Sequence, residues 1–411
     1  MSGPRTDDDG WTERGFTLVA AAPDVAAGTA VAAEAAAPAD AAGAADFPYE
    51  LRRLGRVMDP VPGDANEAWG VLNPASARQG DDVYLFPRLV ARGNYSRIGR
   101  ARVIFDGGGI PVDVERLGVV LEPAQPWELH AGGGGVEDPR ITFLPVLGCW
   151  LMTYVAYGPF GPRIGLAASD DLARWERLGP VSFAYDAKLA TDLNMYPDKD
   201  ALLFPEPVPG PDGRLAFAML HRPIWDLSMG KAGEGDSPPA GVADPRPGIW
   251  VSFVDAAAVL ADRRALARLD RHRPVALPEQ DWEILKIGGG TPPVRIPEGW
   301  LVLYHGVAGT PTRSLIPQPD VHYRAGGLVL DAADVSRVVL RTRAPLLEPE
   351  LPEERTGIVP HVVFPTAIEP VPGAGSTDFD IYYGMADSRI GVARLLRTAA
   401  ARTPPQTDRP H

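Results

Sequence analysis

The feature that most constrains the fold is a two-strand pattern that occurs five times along the chain. In each copy, a strand that begins with a polar residue or a proline is followed by a turn and then by a second, more apolar strand. The copies occupy residues 73–88, 138–157, 199–222, 290–305 and 360–387. Their spacing of roughly 60 to 90 residues leaves room for outer strands, which we expect at 163–169 and 389–394. The repetition predicts an all-β fold, specifically a five-bladed β-propeller around a central channel.

Composition favours one large β domain flanked by two tails. The 411 residues include 44 Gly and 44 Pro, and long apolar stripes with helical spacing are missing. Residues 1–45 are dominated by alanine and carry few large apolar side chains, so we predict a disordered N-terminal tail. The propeller domain is predicted at 46–397, and a second disordered tail at 398–411.

The charge and the single cysteine limit the partners and the compartment. A formal net charge of -13 repels nucleic acids and anionic membranes, so we predict neither as a partner. Cys149 is the only cysteine, which excludes an intrachain disulfide, and we predict a buried thiol there. The N-terminus is acidic and no apolar run has bilayer length, so we expect a cytoplasmic protein. The oligomeric state stays open, a homo-oligomer included.

Two adjacent carboxylates, Glu137 and Asp138, directly follow the glycine run 132–135. Pro139 fixes its own φ and disfavours the helical conformation for Asp138, so we expect Asp138 to be extended at the start of a strand. Taken alone, an Asp-Pro pair is more typical of a solvated turn. The distribution of polar residues in the other copies favours a functional role instead.

Polar residues occur at equivalent ends of the predicted strands. Antiparallel pairing brings the start of one strand beside the end of its partner, so these residues should converge at one mouth of the channel. Each one alone is more typical of a structural residue, but a set in five successive copies indicates a shared pocket. The residues at strand starts are Asn73, Asp138, Lys199, Asp200, Thr291 and His361, and those at strand ends are Arg88, His221, Arg222, His305 and Asp387.

Several segments, in a fixed order along the chain, carry a family resemblance. They are 135–142, 169–179, 199–205, 219–223, 282–293, 299–306 and 382–387. Together they resemble glycoside hydrolase family 130, the β-mannoside phosphorylases and related β-mannosidases. The resemblance implies a five-bladed β-propeller that cleaves β-mannosides with inorganic phosphate and inversion, giving α-mannose 1-phosphate. It also implies that Asp138 is the general acid, whose proton reaches the glycosidic oxygen through a sugar hydroxyl.

A phosphorylase needs only one catalytic carboxyl, because phosphate is already an anionic nucleophile, but it must hold that anion with cations. The residues predicted to bind phosphate are Arg88, Lys199, His221, Arg222 and His305. Those predicted to contact the mannoside are Asn73, Glu137, Arg140, Asp200, Tyr304 and Asp387. For Arg140, a structural pairing with Glu137 is an equal alternative. Phosphate is the predicted co-substrate, with no cofactor and no metal, since the seven His lack ligand spacing.

Two other functions stay open on the sequence. An inverting β-mannosidase would use a second carboxylate to activate water, and Glu137, Glu206 and Glu283 are the candidates. The other possibility is a propeller that binds carbohydrate but does not catalyse its cleavage. The cation set favours phosphorolysis, because hydrolysis does not require it.

The chain also departs from the family pattern in several places, including Thr366 and Ala367, where a glycine is expected nearby. Asp198 stands where Asn is more usual and would add negative charge beside Lys199 if it pointed inward. His361 likewise stands where Asn is commoner. Residues 224–248 do not match the family cleanly, so the acceptor sugar is left undetermined by the sequence.

Overall fold

The structure is a computed structural model, and it describes residues 46–130, 132–190, 192–226, 237–240, 242–312, 318–373 and 377–402. The N-terminal segment predicted as a disordered tail, 1–45, lies outside the described residues. So do 227–236 of the segment that departs from the family, and 403–411 at the C-terminus.

Strands dominate the described residues, which confirms the predicted all-β class. In chain order they are β1 Tyr49–Met58, β2 Gly70–Gln79, β3 Asp82–Ala91, β4 Tyr95–Phe105, β5 Pro111–Leu121, β6 Gly134–Leu144, β7 Cys149–Gly158, β8 Gly161–Ser169, β9 Glu176–Pro180, β10 Ser182–Phe183, β11 Asp198–Leu203, β12 Val208–Pro209, β13 Leu215–Pro223, β14 Ile249–Asp255, β15 Arg268–Ala276, β16 Lys286–Gly289, β17 Val294–Ile296, β18 Gly299–Gly309, β19 Val321–Leu330, β20 Val338–Arg341, β21 Val363–Pro370, β22 Phe379–Met385 and β23 Arg389–Arg397.

Helices in the described part of the chain are short. The α-helices are α1 Ala256–Ala261, α2 Pro352–Arg355 and α3 Ala399–Arg402, and the 3-10 helices are Leu193–Met195, Arg263–Ala267 and Asp281–Glu283. None of these helices is long and apolar enough to cross a membrane. Helix α3 occupies residues that we predicted to begin a disordered tail.

The strands form five units, which correspond to the five predicted copies and are antiparallel except where the short β10 pairs with β15 in parallel. We number them unit 1 (β2–β5), unit 2 (β6–β9), unit 3 (β10–β15), unit 4 (β16–β20) and unit 5 (β21–β23 with β1). The predicted strand pair is present in units 1, 2, 3 and 5, and the predicted outer strands are β8 and β23. In unit 4 the predicted first strand is interrupted at residues 290–293, between β16 and β17, which both pair with β18. Hydrogen bonding within the described residues gives four sheets rather than five, because units 1 and 2 are joined by a short parallel contact between β4 and β6.

That parallel contact depends on the glycine run before Asp138. Gly134 and Gly135 pair with Tyr95 and Ser96, with φ values of 109° and 114°. A Cβ on Gly135 would lie 2.5 Å from the Ser96 carbonyl oxygen, which no side chain tolerates. The run therefore allows units 1 and 2 to approach closely just before the two carboxylates.

The inner strands of units 1, 2 and 3 share a bulge that aims a polar side chain inward. Asn73, Asp138 and Asp200 have φ of 43°, 44° and 58°, and the register of each strand shifts at that point. Our expectation of an extended Asp138 at a strand start was therefore wrong, since it lies within β6 in the left-handed region. The bulge takes Pro139 out of the hydrogen-bonded ladder, and Asn and Asp are the side chains that best tolerate this conformation.

Apolar side chains fill the space between successive units. Cys149 is buried in the cluster between units 2 and 3, as predicted. Five clusters join successive units, and the last one joins unit 5 back to unit 1. Each contains side chains from both of the units that it joins. In order from units 1 and 2 to units 5 and 1, examples are Phe86 with Met152, Leu166 with Met219, Leu220 with Val302, Leu301 with Ile381, and Leu85 with Val392.

A tyrosine occupies the same place in units 2, 4 and 5. The hydroxyls of Tyr154, Tyr304 and Tyr383 donate to buried glutamates at 2.7, 2.8 and 2.9 Å. Each tyrosine pairs across the sheet with a glycine, and a Cβ on that glycine would collide with the ring. Each glutamate also pairs with an arginine. The predicted substrate contact of Tyr304 is therefore wrong, because its ring lies inside unit 4 and its hydroxyl is bound to Glu283.

Candidate active site

A polar cavity of about 250 Å³ lies where the bulged inner strands approach one another. It collects residues that are distant in sequence, because each unit contributes the start of its inner strand or the end of the next one. Of the twelve residues predicted for the site, nine line it: Asn73, Arg88, Glu137, Asp138, Lys199, Asp200, Arg222, His305 and Asp387.

The carboxylate of Asp138 is held between units 1 and 2. Asn73 Nδ2 donates to its Oδ1 at 2.9 Å, and Arg88 Nη1 donates to the same oxygen at 3.2 Å. Arg88 also reaches Glu137, with Nη2 2.8 Å from Oε1. A single guanidinium thus bridges the two adjacent carboxyl groups, and the Asp138 side chain is nearly fully buried.

The two carboxyl groups differ in their affinity for a proton. Burial acts to raise the pKa of Asp138, but the charges of Arg88, Lys199 and Arg140 outweigh it, so the pKa is lowered. For Glu137, burial and the neighbouring Asp138 prevail over Arg88, and the pKa is raised. Like charges this close cannot both ionise freely, so Asp138 holds the negative charge and Glu137 takes a proton more readily.

The floor of the cavity is a network centred on Asp200. Arg222 Nε donates to Asp200 Oδ2 at 2.6 Å, and His305 Nε2 lies 3.6 Å from the same oxygen. The charges of Arg222, Lys199 and Arg140 lower the pKa of Asp200 despite its burial. A Cβ on Gly288 would lie 2.3 Å from Asp200 Oδ2 and 2.7 Å from Arg222 Nε, so only glycine admits this packing.

The positive charge of the cavity comes from a different set than the one predicted. Burial lowers the pKa of His305 well below its usual value, so it is neutral and acts as a hydrogen-bonding group rather than a cation. Lys286, which the sequence reading did not assign to the site, lines the cavity. Burial and the nearby Arg222 lower its pKa to about 8, so it is charged at neutral pH.

Two predicted site residues face away from the cavity. His221 has both ring nitrogens occupied, with Nδ1 2.6 Å from Asp198 and Nε2 2.8 Å from Ser252, so its predicted contact with phosphate is wrong. Arg140 donates hydrogen bonds to the backbone carbonyls of Asp138, Gly289 and Gly290, at 2.8, 3.2 and 3.2 Å. Arg140 therefore holds backbone segments next to the cavity and does not line the cavity itself.

Other polar residues singled out in the sequence also lie outside the cavity. Asp198 accepts from His221 and from the Arg222 amide at 3.1 Å, so its charge does not oppose Lys199 inside the site. Thr291 accepts from the Leu303 amide, and His361 stacks on His322 with ring centroids 4.6 Å apart.

The fourth acidic group of the cavity, beside Glu137, Asp138 and Asp200, is Asp387, contributed by unit 5. Burial raises its pKa to about 6, with Arg88 acting against the shift and Asp138 adding to it. The remaining lining residues that the sequence did not indicate include Asn94, Tyr157, Tyr323 and Phe364. The signal that could have indicated Lys286 is its position within 282–293, one of the segments that carry the family resemblance. The others lie in turns or on strand ends without a distinctive motif.

No group of three or more His, Cys, Asp and Glu side chains in the described ranges could hold a metal ion. The absence of a metal stays a prediction.

Residues 63–398 match the family model Glyco_hydro_130, described as beta-1,4-mannooligosaccharide phosphorylase. The chain belongs to glycoside hydrolase family 130. This confirms the resemblance drawn from the sequence.

Named relatives of this chain fall within the same group of enzymes. A 1,2-beta-oligomannan phosphorylase from Thermoanaerobacter sp. (strain X514) is 32% identical over 64% of this chain and 68% of its own length. A beta-1,2-mannobiose phosphorylase from the same organism is 29% identical over 84% of this chain and 97% of its own. Among solved structures, the beta-1,2-mannobiose phosphorylase from Listeria innocua in complex with beta-1,2-mannobiose aligns with a TM-score of 0.62 and 20% identity, covering 86% of this chain and 98% of that one. At 20% identity, the similarity to this solved structure shows a shared fold and nothing more.

Proposed function

We propose that this chain is an inverting phosphorylase that cleaves β-mannosides with inorganic phosphate and releases α-mannose 1-phosphate. The observation that carries the proposal is one buried cavity in which the Asp138 carboxyl faces Lys199 and lies beside Arg88. The names of the two Thermoanaerobacter relatives support phosphorolysis of β-mannosides, and their different substrates leave the linkage for experiment.

The proposed fold is a closed five-bladed β-propeller, in which each antiparallel unit is one blade. The apolar clusters support closure, because they link the units in a cycle that returns from unit 5 to unit 1. Strand β1 supports it as well, since it comes from the start of the described chain and pairs with β23 near its end.

Asp138 is the proposed general acid, which must be protonated before the glycosidic bond breaks. The charges that lower its pKa are those of Arg88, Lys199 and Arg140, and the first two line the cavity. A phosphate dianion bound beside Arg88 and Lys199 offsets their field, so the pKa of Asp138 rises when phosphate binds. Phosphate would thus supply the nucleophile and also favour the protonated acid.

The proposed phosphate contacts are Lys199, Lys286 and Arg222, with Arg88 bridging to the carboxyl pair and neutral His305 as a hydrogen-bonding group. Arg222 has its Nε on Asp200, so its planar fork is fixed in direction. Lys199 faces the same cavity from the start of β11, opposite Arg222 in the strand register. These groups supply the localised positive charge that a net acidic protein needs to bind an anion.

The reaction balances without a further reagent. A phosphate oxygen forms a bond to the anomeric carbon while the bond from that carbon to the glycosidic oxygen breaks on the opposite face. The leaving oxygen takes one proton, supplied by Asp138 and, following the family resemblance, relayed through a sugar hydroxyl. The phosphate oxygen that forms the ester gives up one negative charge. Asp138, having lost its proton, returns to the ionised form favoured by its neighbours.

Hydrolysis by a β-mannosidase is the competing function. Of the three carboxylates considered for activating water, Glu283 is bound to Tyr304 inside unit 4 and Glu206 does not line the cavity, so only Glu137 is in place. Asp387, with its pKa raised to about 6, is a second candidate base in the cavity. Neither group explains why several cations surround the same space.

Phosphate dependence separates the two functions. Incubation with β-1,2- or β-1,4-mannobiose should release sugar only when phosphate is present, and the product should be α-mannose 1-phosphate. Free mannose formed at the same rate with and without phosphate would establish the hydrolase instead. No cleavage of either disaccharide or of longer β-mannosides would favour the binding propeller.

Replacing Lys199 tests the phosphate contact directly. Lys199→Met should raise the KM for phosphate by about ten- to a hundredfold with a smaller effect on the mannoside, because one charge-assisted contact is lost. Lys188→Met is the matched control, since Lys188 is exposed and does not line the cavity. An equal rise in KM for both substrates in the Lys199 variant would argue against a specific phosphate contact.

A further inference from the structure

A buried network of hydrogen-bonding groups lies inside unit 3, and we call it the unit 3 network. His221 contacts Asp198 Oδ2 through Nδ1 at 2.6 Å and Ser252 Oγ through Nε2 at 2.8 Å. Ser252 Oγ also lies 2.8 Å from His272 Nδ1, and His272 Nε2 lies 2.8 Å from the Ala184 carbonyl oxygen. The four side chains are no more than 6% exposed, so these groups must satisfy one another without help from solvent.

His221 occupies the position that a tyrosine has in the preceding unit. In unit 2, Tyr154 lies opposite the bulge at Asp138 and donates its hydroxyl proton to Glu128. In unit 3, His221 lies opposite the bulge at Asp200 in the same way. A tyrosine has one polar atom to satisfy, whereas an imidazole has two, and the second one extends the hydrogen bonding across the sheet.

The unit 3 network needs one proton more than its neutral groups carry. Both ends are acceptors, because the Ala184 carbonyl and the ionised Asp198 carboxylate have no proton to donate. Between them, two neutral imidazoles and one hydroxyl carry three protons for the four contacts. The number of protons is the same for every choice of tautomers. Without a fourth proton, two lone pairs would face each other in a buried place, which is as costly as a buried polar group without a partner.

The groups on either side favour His221 as the holder of the fourth proton. Unperturbed histidine and aspartate have pKa values of about 6.5 and about 3.9, so the imidazole binds a proton more tightly than Asp198. Burial and the nearby His221 lower the pKa of His272, which is therefore the neutral one of the two histidines. The 2.6 Å contact between His221 and Asp198 is short, as in a charge-assisted hydrogen bond. The other charged groups around the network are Arg163, near Asp198, and Asp186 and Asp270, near His272.

The unit 3 network is attached to two cations of the active cavity. Lys199 follows Asp198 on β11, Arg222 follows His221 on β13, and these two cations pair in the strand register. Successive side chains of a strand point to opposite faces, so Lys199 and Arg222 line the cavity while their neighbours belong to the network. Asp198 also accepts from the Arg222 amide at 3.1 Å, so its carboxylate fixes the backbone from which this cation extends.

We propose that Asp198 and His221 are positioning residues for phosphate binding, and that a fourth proton on the unit 3 network holds them together as a buried ion pair. The positioning role rests on the proposed function, because the pair acts through two of the proposed phosphate contacts. The presence of the fourth proton does not depend on that function and is measured separately.

Nitrogen-15 NMR of the histidine side chains in the full-length protein tests the fourth proton. At pH 8 one histidine should still carry two ring protons, although a histidine with a pKa of about 6.5 is neutral there. In Asp198→Asn the side-chain amide can donate to His221 Nδ1 and accept from the Arg222 amide, so the network is satisfied with neutral histidines and that signal should disappear. Only singly protonated histidines in the parent at pH 8, or a doubly protonated one that persists in Asp198→Asn, would overturn the ion pair.

Phosphate kinetics test the positioning role. Asp198→Ala should raise the KM for phosphate by about tenfold and change the KM for the mannoside less, because the backbone beside Lys199 and Arg222 loses its support. Asp198→Asn keeps both hydrogen bonds, so its KM for phosphate should stay within about threefold of the parent. Asp81→Ala, in an exposed turn, is the control and should behave as the parent does.

An equal rise in KM for both substrates in Asp198→Ala would refute the positioning role. So would a tenfold rise in the KM for phosphate in Asp198→Asn, and this result decides the matter even if the Ala variant does not fold. Cleavage that needs no phosphate would refute phosphorolysis and the positioning role with it, while the NMR result would still decide the fourth proton.

Discussion

Asp138 and Asp200 occupy the same place in consecutive units but have different surroundings. Both lie in a left-handed bulge of an inner strand and both are buried. Asp138 accepts from Asn73 and from an arginine that it shares with Glu137. Asp200 is instead bound to Arg222 at 2.6 Å, with His305 and Arg140 also close.

The difference shows that the bulge sets where a carboxyl points, while its neighbours set what it can do. The two arginines paired with Asp200, Arg222 and Arg140, keep it ionised, so it serves as the counter-ion that orients Arg222. Asp138 has an adjacent carboxyl that competes for the same arginine, and the two titrate as a pair. Only the second arrangement contains a carboxyl, that of Glu137, whose pKa is raised by burial and by a neighbouring carboxylate.

The largest expected effect is on stability, from Asp200→Asn. The substitution leaves Arg222 buried without its counter-ion, and breaking a buried ion pair from one side costs about 3 to 5 kcal/mol. The free energy of unfolding from urea titration should fall by that amount. Asp81→Asn, in an exposed turn, should change it by less than about 0.5 kcal/mol. Equal losses in the two variants would mean that Asp200 is not a structural counter-ion.

Asp138→Asn should affect catalysis rather than folding. Asn keeps the shape and the left-handed backbone but has no proton to transfer, so turnover should fall by about 100-fold or more. Its unfolding midpoint should stay much closer to the parent than that of Asp200→Asn. Turnover within a few-fold of the parent would move the acid to Glu137 or Asp387 and remove the contrast between the two aspartates.

The smallest effect is the pH dependence of phosphate binding on the Asp200 side of the cavity. Lys286 has a pKa lowered to about 8, so it is mostly charged at pH 7 and mostly neutral at pH 9. The KM for phosphate should therefore rise by up to about tenfold between these pH values. In Lys286→Met the KM should already be high at pH 7 and should change little with pH. A parallel rise in both proteins would assign the titration to another group.

The sequence predicted the architecture at the level of units and much of the site. Five strand pairs, two outer strands and the buried Cys149 were all indicated by local pattern. Nine of the twelve predicted site residues line the cavity, because the pattern identifies strand ends and antiparallel pairing brings those ends together. The disordered tails and the roles of the site residues stay predictions.

The errors came from properties that a strand pattern does not contain. The pattern placed Tyr304 and His221 near strand ends, but Tyr304 lies in the middle of β18. Their partners Glu283 and Asp198 come from other segments and hold both side chains away from the cavity. The side-chain direction of Arg140 depends on carbonyls about 150 residues away. Lys286 enters the site only because β16 pairs with β18 beside His305.

By itself, the sequence determined the all-β class, the fivefold repetition and the position of Asp138 beside a glycine run. These follow from local preferences, since alternating apolar residues, prolines and glycines act within a few residues of themselves. Only the tertiary structure decided the bulged conformation of Asp138, the neutrality of His305 and the charge of Lys286. Those properties depend on burial and on charges brought together from separate units, and the pKa of a group responds to all of them at once.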